Sequence, residues 1–190
     1  VAHWVFDFDS GDNDPGGWIA NQLGAIDFAG GTAVHINAGI AGLAAVLVIG
    51  KRAGFGREPF KPHNLTLVMV GAGLLWFGWF GFNAGSAVAS NAAAGITFLN
   101  TFVATGAAML AWLTVEKIRD GHATSLGAAS GVVAGLVAIT PACSSVDPLG
   151  AIAVGAISSV LCSLAVGLKY KLGYDDSLDV VGVHLVGGLS

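Results

Sequence analysis

Few groups within the apolar stretches of this sequence can do chemistry, and two of them are histidines, His35 and His184. An ionisable side chain in hydrocarbon is costly, so an intramembrane imidazole marks either a functional path or a structural contact between helices. His35 falls about seven residues into one apolar stretch, roughly 11 Å from its start at 1.5 Å per residue, and His184 lies at a similar distance into another. If those helices run oppositely and adjoin, the two imidazoles meet near the bilayer centre. Such a pair can line a lumen with hydrogen-bonding groups, or hold haem as opposed axial ligands. Two histidines are too generic a set to imply haem, and no cofactor is expected. Trp79, Phe82 and Ser86 are spaced by three and four, so they share one helical stripe from mid-membrane to its outer end. An aromatic stripe is ordinarily packing. With a hydroxyl at its outer end it also suits a cation leaving water, held by oxygen lone pairs and aromatic faces, with Trp18 as a further contributor. Asp27 and Asp179 open the two histidine-bearing stretches, where a carboxylate accepts bonds from unpaired N–H groups and meets the positive helix end. Asp27 would also put a fixed charge near the outer mouth. The segments DFAGGTAVH and DVVGVH share an Asp, a Gly three residues later and a His, a short hint of an inverted repeat with the working site between its halves.

Positioning these residues is a task for membrane helices. Of the 190 residues, 54% are hydrophobic and 11% charged, with 29 glycines, a composition that belongs in lipid. No nucleic-acid partner is expected. A span needs roughly 20 mostly apolar residues, which predicts five complete spans near 28–50, 65–90, 95–115, 123–140 and 149–170, and the start of a sixth at 177–190. The whole of 1–190 reads as one transmembrane domain, an all-α polytopic helical bundle. The chain opens on Val1 rather than Met and stops inside an apolar run, as an internal piece of a longer protein would. Lys51, Arg52, Arg57 and Lys61 follow the first span, Lys117 and Arg119 the third, and Lys169 and Lys171 the fifth. With alternating spans, all of them lie on one face, which the distribution of basic residues makes cytoplasmic. Residues 1–26, 91–94 and 141–148 then lie outside, with Asp7, Asp9, Asp12, Asp14 and Asp147 and no basic residue. Gly127, Gly131 and Gly135 recur every fourth residue, a face that brings helices close. Asn64-Leu65-Thr66 matches a glycosylation acceptor but falls on the inner face, where it is accidental. Cys143 and Cys162 sit at different depths and make a poor disulfide pair.

Four stretches resemble the Amt/Mep/Rh family of ammonium transporters, above all its bacterial Amt branch: AIDFAGGTAVHINAG from Ala25, WFGWFGFNAGSA from Trp76, GAASGVVAGLVAITPAC from Gly127 and DDSLDVVGVHLVGG from Asp175. The resemblance implies that His35 and His184 form a pore-lining pair and that Trp79 is a pore-side aromatic. It implies that Phe82 gates the pore, that Ser86 binds ammonium at an external site and that Asp27 stands near that site. A tryptophan before the first of these spans also serves that site in the family, and either Trp18 or the aligned-looking Phe6 fills this place. The family's architecture is two inverted five-helix repeats, of which this chain would supply spans five to nine and the start of ten, without the second gate phenylalanine. By the same resemblance the full-length protein is a homotrimeric, non-enzymatic uptake channel in the cell membrane, open to a PII-type regulator on its cytoplasmic side. An ammonium sensor is the alternative.

Overall fold

The computed structural model describes residues 2–7 and 16–190. Asp9, Asp12 and Asp14, expected to charge the outer mouth, lie outside the described residues. Among those described, every regular element is helical. A short α1 (Ala2–Val5) and a π-helical turn, Trp18–Gln22, precede the main helices. These are α2 (Asn37–Ile49), α3 (Leu65–Gly85), α4 (Ala92–Asp120), α5 (Ser125–Ile139), α6 (Pro148–Ala165), α7 (Leu168–Leu172) and α8 (Val186–Leu189). A π-helical turn leads into both α2 and α8, Gly31–Ile36 and Val181–Leu185 respectively, and these two turns carry His35 and His184.

Each expected stretch contains a helix, with shifted ends. Gly31–Ile49, Leu65–Gly85, Ala92–Asp120 and Pro148–Leu172 are long and apolar enough to cross a membrane. At 15 residues α5 is shorter, reaching about 22 Å at 1.5 Å per residue. The stretch expected to continue to Ser90 stops at Gly85, and Val88 then turns the chain with a φ of 51°. The starts follow capping chemistry, in which a side-chain oxygen takes one of the first unpaired N–H groups. Asn64 accepts from Leu67 at 3.0 Å, Asn91 from Ala94 at 3.0 Å, Thr124 from Gly127 at 2.9 Å and Asp147 from Gly150 at 2.7 Å. Asn64 is thereby given a structural use.

Packing centres on α4, which lies against both α5 and α6. The glycine face of α5 makes this possible. A Cβ on Gly131 would stand 2.8 Å from Trp112 Cβ, and one on Gly135 2.9 Å from Thr105 Cα, so the backbones approach more closely than any larger residue permits. Ala108, Leu136, Val137 and Cys162 are fully buried at this core. Phe80 stacks on Phe98 at 4.1 Å and ties α3 to α4. Leu47, Val48, Leu67, Val70, Leu74 and Phe77 are exposed on the outer faces of α2 and α3, as apolar groups facing hydrocarbon or further helices would be.

Gly39 has a separate task. A Cβ there would meet Leu185 Cβ and N at 2.5 Å. Because Gly39 lies one turn after His35 and Leu185 directly follows His184, this close crossing brings the two histidine-bearing segments together.

Candidate functional site

The imidazoles of His35 and His184 lie with ring centroids 5.6 Å apart and planes tilted by 42°. His35 is only 3% exposed, and His184 is half-buried. A hydrogen-bond partner is missing for His35 Nε2 and for His184 Nδ1. A buried polar atom without a partner is costly and uncommon, so each ring holds unused hydrogen-bonding capacity. The aromatic stripe of α3 forms one wall. Trp79 stacks on His35 at 5.1 Å, Phe82 on His35 at 5.7 Å, and Trp79 and Phe82 lie 5.2 Å apart.

Along α3, Phe82 comes between Trp79 and Ser86. Ser86 donates its hydroxyl proton to Phe82 O at 2.7 Å, which leaves its oxygen lone pairs as acceptors. Ser86 and Asp27 line one cavity of about 380 Å³ with Ile26, Phe28, Ser144 and Ser145. On the other side of the imidazole pair, His184 lines a second cavity of about 230 Å³ with Leu75, Val133, Asp179 and Val183. Trp18 is half exposed at the start of its turn and is not among the residues lining the cavity at Ser86.

Asp27 is committed to the backbone. Oδ1 accepts from the N–H groups of Gly30, at 2.9 Å, and Gly31, while Oδ2 accepts from Thr32 at 2.9 Å and Ala33 at 3.1 Å. Four amide donors saturate both oxygens, and the charge sits at the positive end of the helix. Gly30, with φ at 110°, turns the chain so that these amides converge.

The second histidine segment repeats this device with a different aspartate. Asp176 accepts from Val180 N–H at 3.0 Å and Val181 N–H at 2.7 Å, and it precedes His184 by eight residues, as Asp27 precedes His35. Asp179, expected to cap this segment, instead has a φ of 58° and pairs with Lys169 Nζ. The internal likeness therefore runs Asp27 to Asp176 rather than Asp27 to Asp179. The reason is local: Asp179 turns the chain with its positive φ and gives its carboxylate to Lys169, so the N–H groups of Val180 and Val181 fall to Asp176. Nearby, Arg52 binds Asp175 through its backbone N–H at 2.8 Å and its guanidinium at 3.4 Å.

Behind the aromatic wall lies a polar network that sequence reasoning missed. Trp79 Nε1 donates to Thr140 Oγ1 at 2.9 Å, Asn83 Oδ1 lies 3.2 Å from the same hydroxyl, and Asn83 Nδ2 donates to Thr101 Oγ1 at 3.1 Å. Two signals for it were present: Asn83 follows Trp79 by four residues, and Thr97, Thr101 and Thr105 repeat every four within an apolar helix.

These features define a polytopic helical membrane protein with an imidazole pair buried between two helix entries. The sequence profile of the Ammonium Transporter Family matches residues 1–190, and the chain belongs to that family. It is 69% identical over 189 residues to an ammonium transporter of Mycobacterium bovis, a match covering 100% of this chain and 40% of the relative. To an ammonium transporter of Aquifex aeolicus it is 53% identical over 190 residues, covering 100% of this chain and 42% of that one. The crystal structure of Candida albicans Mep2 superposes with a TM-score of 0.84 at 41% identity, over 90% of this chain and 39% of that chain. A structure described as a Sensor Amt Protein does so with a TM-score of 0.85 at 34% identity, over 93% of this chain and 45% of that one. The chain thus spans less than half the length of these relatives.

Proposed function

We propose that the full-length protein containing this chain is an ammonium uptake channel whose conducting path passes between His35 and His184. The observation that carries this reading is the imidazole pair at 5.6 Å, walled by Trp79 and Phe82, with one partnerless nitrogen on each ring. An ammonium ion is recruited at the outer cavity, where Ser86 offers lone pairs and Phe82 an aromatic face, and Trp18 contributes only if the assembled full-length protein brings its ring to that cavity. Asp27 contributes its charge through space, because its oxygens are already occupied. Carrying the net charge through hydrocarbon is costly, whereas neutral ammonia escapes that penalty. The ion therefore leaves a proton with water in the outer cavity, and ammonia passes the Phe82 gate. The free imidazole nitrogens then supply it with hydrogen bonds in an otherwise apolar passage.

The deciding measurement is methylammonium uptake by the full-length protein with His35→Ala, His184→Ala and both together. Lost flux or altered selectivity in each is expected, and unchanged flux and selectivity in all three overturns the role of the pair. Family membership also supports a homotrimer and docking of a PII-type regulator on the cytoplasmic face, which native mass spectrometry of the full-length protein checks. The likeness to a structure described as a Sensor Amt Protein favours one second reading, an ammonium sensor. Ammonium binding without uptake in a transport-deficient host would establish it.

A further inference from the structure

Trp79 faces two ways. One side of its ring stacks on His35 at 5.1 Å, while Nε1–H donates to Thr140 Oγ1 at 2.9 Å. An indole has a single polar atom, so this bond fixes how the ring is turned. Thr140 is itself held. It is fully buried, and its hydroxyl donates to Leu136 O at 2.7 Å, which leaves its lone pairs to face α3. Asn83, also fully buried, lies one helical turn after Trp79 and places Oδ1 3.2 Å from the same hydroxyl, a second acceptor that shares the one Thr140 proton with Leu136 O. It is anchored to Thr101 at 3.1 Å, and Thr101 in turn donates to Thr97 O at 2.7 Å. Residues of α3 and α4 and the end of α5 therefore converge on the one bond that orients the ring beside the imidazole pair.

We propose that Thr140, braced by Asn83 and Thr101, is a positioning residue that sets the tilt of Trp79 against His35 and so the aperture that separates ammonia from methylated amines. This rests on the pore reading above. Without the Thr140 oxygen, the indole N–H is left unpaired in a dry site, a costly state. The ring is then drawn toward His35, whose Nε2 is buried without a hydrogen-bond partner and accepts in the tautomer that carries its proton on Nδ1. Turning the indole inward narrows the passage and penalises the larger solute.

The test is ammonium and methylammonium uptake by the full-length protein with Thr140→Val, Thr140→Ser, Trp79→Phe and the Thr140→Val/Trp79→Phe double variant, each normalised to protein in the membrane. Thr140→Val is expected to shift the flux ratio against methylammonium by about fivefold, the factor that corresponds to one net hydrogen bond. Thr140→Ser, which keeps the oxygen, retains the unmodified ratio. On the Trp79→Phe background Thr140→Val adds nothing further, because no indole N–H remains to be held. If Thr140→Val does not reach the membrane, Thr140→Ala is read in its place. The unmodified protein, by ultraviolet resonance Raman difference against Trp79→Phe, is expected to show a hydrogen-bonded indole N–H. A free indole N–H, a ratio unmoved by loss of the hydroxyl, or an equal shift with and without Trp79 overturns the positioning role. If Trp79→Phe itself leaves both fluxes and their ratio unchanged, the pore reading fails at that residue. If Trp79→Phe moves the ratio and Thr140→Val does not, only the positioning role fails.

Discussion

At the scale of single residues, Asp27 and Ser86 share one cavity but differ in what they have left to give. Both carboxylate oxygens of Asp27 are used by four backbone N–H groups, whereas Ser86 has spent only its proton. Substitution should separate them. Asp27→Asn places an amide N–H₂ against backbone donors and removes the charge at the helix end, so loss of about 2–4 kcal/mol of stability is expected. Thermal unfolding of the full-length protein in detergent measures it, and an unchanged melting temperature would count against the saturated carboxylate. Ser86→Ala keeps the fold and removes one neutral acceptor. Its expected effect is a rise in the apparent KM for ammonium of about three- to tenfold, from a hydrogen bond of about 1 kcal/mol, with the maximal rate largely retained. A fall in maximal rate at constant KM would place Ser86 outside the recruiting site.

At the scale of elements, two helix entries crossing at Gly39 determine whether the imidazoles meet. No side chain larger than hydrogen fits between α2 and the turn carrying His184, since a Cβ would reach Leu185 at 2.5 Å. Gly39→Val is therefore expected to force the crossing apart, at a cost of about 1–3 kcal/mol for overpacking, and to reduce flux by separating His35 from His184. Gly71→Val, on α3 where a Cβ would meet nothing within 4 Å, serves as the contrast within this chain. Equal flux from the Gly39 variant and the unmodified protein would show that the crossing does not govern the pair. The positions of the helices were legible in the sequence because charge and turn residues bound the apolar runs, and the two histidines stood out because polar groups are rare there. What sequence periodicity did not show is the π-helical form of both histidine segments. A repeat read from Asp, Gly and His selected Asp179, whereas that residue turns the chain and pairs with Lys169, and the N–H groups of the turn go to Asp176. Thr140 and Asn83 escaped notice for a related reason: a threonine at a helix end and an asparagine among aromatics look ordinary until three helices bring them to one hydroxyl.

At the scale of the whole molecule, orientation follows from where the basic residues lie. All eight Lys and Arg fall in or beside the connections after α2, α4 and α6, and we propose from this clustering that those connections are cytoplasmic. The native cysteines allow this to be read cleanly. Cys143 and Cys162 are free and fully buried, and burial pushes the Cys143 thiol from 9.0 to about 12. The upward shift lowers still further the small thiolate fraction present at pH 7, and the thiolate is the reactive form. Both should remain silent to a maleimide in the folded full-length protein. Reporter cysteines can then be placed one at a time at exposed positions, His63→Cys before α3 and Ser90→Cys between α3 and α4. In intact cells a membrane-impermeant maleimide is expected to label Ser90→Cys and spare His63→Cys, and in inside-out vesicles the pattern reverses. Labelling of both from one side would mean that α3 does not cross. The opposite pattern would turn the molecule over and put Ser86 on the cytoplasmic face, where it cannot recruit ammonium from outside.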